Sequence, residues 1–203
     1  MPSGRSLREP VCGGALAALI ALSVGASAHA DAIRPVTFFK SNVVFNVFGD
    51  SVTARAEFFV QNESGDEQTL PFAFLMPTDA GHTFPHRITV VDRRNAALEF
   101  KTTSNNGIFF SFPLKAGEKS KFIIEYAQKI SHADASFPLT GWFAQSKPMK
   151  EAAYSINLPS EYEDVGLSYP YNNVFWGKGR MTYYIERTDF VPDKDINVHW
   201  RKP

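Results

Sequence analysis

The sequence predicts an all-β fold, an antiparallel immunoglobulin-like sandwich with a second, smaller β subdomain or sheet extension. Apolar residues recur at every second position along most of the chain, and turn-forming residues separate these runs at intervals of about ten. No long segment after residue 30 carries a 3.6-residue apolar period with caps, so strands, not helices, must build the core.

The first clear strand is "VTARAEFFV", where Val52, Ala54, Ala56, Phe58 and Val60 alternate with Thr53, Arg55 and Glu57. That is the pattern of a strand with one face buried. The same alternation marks inward faces at Ile88 and Val90, at Leu98 and Phe100, at Ile108, Phe110 and Phe112, and at Phe122, Ile124 and Tyr126. It returns at Tyr154, Ile156 and Leu158 and at Ile196, Val198 and Trp200, which places His199 on a polar face. Between these runs lie "FGDS", "NESGDE", "SNNG", "KAGEK" and "GKG". Asn106-Gly107 is the sharpest hairpin signal, because both residue types tolerate the positive φ that such turns require. Residues 129–150 lack sustained alternation, contain two prolines and exceed the usual length of a connection. They divide the expected β-sandwich domain, 31–128, from a C-terminal β subdomain, 151–203.

Residues 1–30 read as a secretory signal. Arg5 and Arg8 precede an Ala- and Gly-rich apolar run that ends in Ala28-His29-Ala30, a small-x-small cleavage pattern. The run lacks the roughly 20 strongly apolar residues of a membrane span, and no later segment supplies them. Cys12, the single cysteine, lies inside this signal, so the exported chain has no disulfide, thiolate metal site or cysteine nucleophile. The expected address is periplasmic or secreted. Lys plus Arg and Asp plus Glu balance at 21 each and are interspersed, which argues against nucleic acid or an anionic membrane surface as the main partner. All 18 phenylalanines follow residue 30, enough for a dense aromatic core or an aromatic surface.

Sites of chemistry are few. In "GHTFPH", His82 and His86 stand four apart, which is metal-ligand spacing on a helix. Pro85 and the strand-like "RITVVD" after it argue for extended chain instead, where that spacing separates the residues by about 13 Å. A tight turn bringing in Asp79 or Asp92 is the remaining route to a metal. "NESGDE" and "DFVPDKD" offer oxygen ligands, yet neither has the regular spacing of a calcium loop. Asn62-Glu63-Ser64 also fits a glycosylation sequon. Glu161, Glu163 and Asp164 are candidates for paired acid and base, though a solvated connection explains them more simply. No nucleophile elbow, zinc-protease helix, phosphate loop or dinucleotide fingerprint occurs, so no catalytic residue and no cofactor is assigned. The aromatic cluster stands out more. Trp142 and Phe143 lie in the irregular connection, and Tyr169, Tyr171, Phe175 and Trp176 gather beside Pro170 and two glycines, as contacts for a protein or sugar or as packing between subdomains.

"AEFFVQNESGDEQTLPFAFLMP", "FPLTGWFAQSKPMKEAAYSINLP" and "YYIERTDFVPDKDINVHW" resemble segments of secreted bacterial β-sandwich proteins of uncharacterised families. The resemblance covers about half of the exported chain, and its motifs are structural. It implies an exported all-β protein and brings no functional residue with it. The reading the sequence favours is a non-enzymatic module that binds or supports another envelope component through strand edges and loop aromatics. A carbohydrate-binding module using Trp142, Tyr169, Tyr171 and Trp176 comes second, and a metal-dependent or acid/base hydrolase third.

Overall fold

The computed structural model describes residues 35–104, 106–140 and 147–203. The strand read first from the sequence is also the structural centre. In β2 (Ser51–Asn62), Val52, Ala54, Ala56, Phe58 and Val60 are buried, while Thr53, Arg55 and Glu57 face outward. One neighbour is β1 (Val36–Val47) and the other β7 (Lys119–Lys129), both antiparallel, with β4 (Arg87–Asp92) beyond β7. On the far side of β1 the sheet continues through β9 (Met149–Pro159), β12 (Arg180–Phe190) and β11 (Asn173–Gly177).

β1 and β9 pair in parallel, from Lys40 opposite Glu151 to Asn46 opposite Asn157. A parallel pair cannot be closed by a tight turn, so the intervening chain must leave the sheet and return. It runs through β2, β4 and β7 of the same sheet, through all of one three-stranded sheet and through one strand, β8 (Asp134–Phe137), of another. The first, in the order β3 (Gln68–Leu75), β6 (Gly107–Leu114), β5 (Lys101–Thr103), lies over the β2 and β7 side; the other runs β10 (Glu163–Leu167), β13 (Ile196–Arg201), β8. Chain from both sides of residues 129–150 thus enters one seven-stranded sheet, and the later part extends it.

The phenylalanines form the joint between layers. Phe72 of β3 meets Phe122 of β7 edge-on at 4.6 Å and Phe110 of β6 at 5.0 Å, and Phe58 of β2 lies 5.5 Å from Phe122. Phe137 of β8 carries the cluster toward the other small sheet, packing on Phe45, Phe74 and Tyr126. Such contacts are directional as well as apolar, so they fix the layers as well as burying them.

Two local expectations need correction. Residues 129–150 contain β8, whose four residues are too few for alternation to register, although Ala135 and Phe137 are buried as a strand requires. At the Asn106-Gly107 turn only Asn106 has positive φ, at 57°. Gly107 serves packing instead: a Cβ there would come within 2.8 Å of the Phe74 carbonyl oxygen. His199 does lie on the outer face of β13, between buried Val198 and Trp200.

Phe122→Ala removes the ring shared by both layers, and it should cost about 3–5 kcal/mol of unfolding free energy in urea titration. A loss below about 1 kcal/mol, within the range of a surface change, would show that the aromatic joint does not hold the layers.

Candidate functional site

The sequence "NVFWGKGRMTYY" folds as a hairpin because Lys178 and Gly179 both take positive φ, 52° and 70°, the signature of a two-residue turn that matches strand twist. Gly177 then opposes Arg180, Phe175 opposes Thr182 and Asn173 opposes Tyr184. Antiparallel pairs alternate between those that exchange backbone hydrogen bonds and those that do not. Counting from the turn, Phe175 bonds to β12, while the backbone N–H and C=O of Val174 and Trp176 point away from it. Among the described residues no further strand lies on that side.

The opposite end of the sheet is treated differently. There the second half of β4 is covered by its following loop: Leu98 N–H donates to the Val90 carbonyl at 2.8 Å and Asp92 N–H to the Ala96 carbonyl at 2.9 Å, with a bridge between Val91 and Ala97. Leu98 and Phe100, expected as a strand, instead pack against the core from this stretch.

Large apolar side chains surround the open edge. Phe175 is 59% exposed and Trp176 66%. Successive strand residues face opposite ways, so Trp176 shares the inner face with buried Met181, and Phe175 shares the outer face with Thr182. Tyr171, half exposed, sets its ring edge-on to Tyr183 at 5.0 Å. The hairpin is held firmly. Thr182 Oγ1 donates to Asn157, Asn157 to Asn46 and Asn46 to Thr53, a ladder across four strands. Arg180 donates to the carbonyls of Val47 and Asn157 and lies 5.1 Å from the Phe48 ring centre.

The other aromatic candidates fall elsewhere. Tyr169 is buried, its hydroxyl 2.7 Å from the Lys194 carbonyl and 3.1 Å from the Asp193 carboxylate, with its ring edge-on to Phe190. Burial pushes its pKa up to about 12. It is a post inside the fold and has no free face for a sugar. Trp142 and Phe143 lie outside the described residues.

The two histidines part company. His86 is exposed, whereas His82 is 4% exposed and takes up both ring nitrogens. Nδ1 lies 2.8 Å from Asp79 Oδ1 and Nε2 lies 3.0 Å from the Asp134 carbonyl oxygen. The tight turn brings Asp79 in as the sequence allowed, but as a hydrogen-bond partner. Two acceptors suit an imidazolium, which donates from both nitrogens. Burial pulls the His82 pKa down, but the Asp79 and Asp134 bonds outweigh it and hold it above 6.5. Among the described residues no group of three His, Cys, Asp or Glu side chains is placed to hold a metal ion.

The acidic motifs are structural too. Asn62 is buried, donating to the carbonyls of Asp66, Lys115 and Leu114 and accepting from Ser64, so its amide is inaccessible to glycosylation in the folded chain. Glu63 pairs with Lys147, Asp195 accepts from the Leu139 and Thr140 N–H groups, and Glu163 and Asp164 both pair with Arg201.

No family model and no curated protein matches the chain. Solved structures do. A candidate nutrient-binding protein of Legionella pneumophila matches with a TM-score of 0.65 at 8% identity, over 83% of this chain and 68% of its own. An M1 zinc metallopeptidase of Deinococcus radiodurans matches at 0.53 and 11% identity, and a mutant of it bound to a Tyr-Ser-Ala substrate at 0.51 and 10%. Each covers 82% of this chain, which spans less than half of the peptidase, 42% and 43%. At such identities the likeness is one of fold. No helix among the described residues is long and apolar enough to cross a membrane.

The His82 contacts set a pH dependence. A folded pKa above the unfolded one stabilises below the unfolded pKa, and that contribution is lost as pH rises through the folded value. Asp79, held low by His82, acts in a separate and far more acidic window. The urea midpoint should therefore fall from about pH 6 to 8 in the native protein, and His82→Gln should flatten that fall. An equal fall in the variant would place the titrating group elsewhere.

Proposed function

We propose that this protein is an exported, non-enzymatic β-sandwich module that binds another component of the cell envelope by accepting a strand at β11. The observation that carries the reading is the asymmetry of the seven-stranded sheet: the second half of β4 is covered by its own loop, while among the described residues β11 leaves Val174 and Trp176 open and sets exposed rings beside them. Natural sheets commonly guard their edges with Pro, Lys, bulges or covering loops. "NVFWG" has neither charge nor proline. Strand addition draws affinity from the backbone and specificity from flanking side chains, here Tyr171, Phe175 and Trp176. Export rests on the signal read at residues 1–30, and with it a periplasmic or secreted address.

An extracellular glycan is the second reading, favoured by the exposed Tyr171 and Trp176 rings. It loses Tyr169, which is buried.

An affinity pull-down of the protein from its own envelope extract separates the two. A specific envelope protein should be recovered, and Phe175→Ala combined with Trp176→Ala should reduce recovery at least several-fold. Recovery of no protein, together with tryptophan fluorescence that responds to a cell-wall glycan, would favour the second reading over the first.

A further inference from the structure

We propose that, before a partner engages it, β11 is closed by the β11 of a second copy of this chain, paired antiparallel about a two-fold axis at Phe175. The proposal rests on β11 being an acceptor edge and concerns what occupies that edge at rest.

The register argument is restrictive. Only Val174 and Trp176 offer outward backbone groups, so a second strand gains bonds only where its own outward residues meet them. With the axis at Phe175, Val174 of each copy meets Trp176 of the other, forming two pairs and about four backbone hydrogen bonds. Moving the axis by one residue in either direction keeps only one of these outward residues paired with itself, because the turn or the Pro170 to Asn172 approach intervenes. Centring it between residues sets outward groups against inward ones.

The side chains agree with this register. Phe175 faces Phe175 on the outer face in a non-bonded pair, where side chains approach most closely. Trp176 faces Val174 twice on the inner face. Aromatic–aromatic and aromatic–β-branched pairs are among the favourable cross-strand combinations. Asn173 opposes Gly177, Lys178 opposes Asn172, and Tyr171 opposes Gly179, which has no side chain to obstruct it. No like charges meet. The interface is the same patch on both copies, as a two-fold dimer requires, and it joins two seven-stranded sheets into one.

Sedimentation of the purified protein over a concentration series tests this. The native chain should show a monomer–dimer equilibrium. Phe175→Lys and Phe175→Glu, at a 59% exposed site that should leave folding intact, should each lose the dimer by setting like charges across the axis. Mixing the two variants in equal amounts should restore it. A native chain that stays monomeric, a dimer that persists in both variants, or a mixture that stays monomeric would each overturn the proposal. A monomeric chain that still captures an envelope protein through β11 would end the self-pairing and leave the module reading standing. A dimer behaving as stated, with no captured partner, would do the reverse.

Discussion

A β-sheet has two ends, and the backbone groups along each end must find partners or face water. The seven-stranded sheet here meets that constraint in two ways. At β4 the chain doubles back through residues 96–98 and bonds to its own edge, Leu98 donating to Val90 and Asp92 donating to Ala96. At β11 no further strand follows among the described residues, and the edge stands open with Phe175 and Trp176 exposed beside it. Among the described residues, one end of the large sheet is thus partly covered and the other is left open to a further strand.

That edge is only as useful as the platform behind it. Among the described strands β11 pairs with β12 alone, so its geometry depends on β12 being fixed. The Thr182–Asn157–Asn46–Thr53 ladder and the Arg180 bonds to Val47 and Asn157 supply this from the outer face. From the inner face, Met181, Tyr183 and Ile185 are buried in the aromatic and aliphatic core. Burial and hydrogen bonding thus act on opposite faces of one strand, and an incoming strand would meet an edge that is already ordered, with little further entropy to lose.

Much of the fold was legible because period-two alternation is a local consequence of having one buried face. β2, β6, β9 and β13 follow their apolar positions residue by residue. Strand order was not legible, since the parallel meeting of β1 and β9 joins segments more than a hundred residues apart and leaves no local mark. The site was half legible. Tyr171 and Trp176 were singled out and are exposed, but Tyr169, two residues from Tyr171, is buried because Asp193 and Lys194 reach its hydroxyl from another segment. Val174 escaped notice entirely, because what it offers is backbone, and backbone direction follows from pairing register. The spacing of His82 from His86 says nothing of His82's partner Asp134, which stands 52 residues away on a strand the sequence did not disclose.

Residue-resolved amide exchange across 173–177 tests the central claim most directly. In dilute protein, Val174 and Trp176 should exchange much faster than Phe175 and Gly177, and both should become protected when the edge is occupied. Equal protection at all four amides in dilute protein, unchanged at high concentration or on adding an envelope partner, would contradict an open edge that accepts a strand.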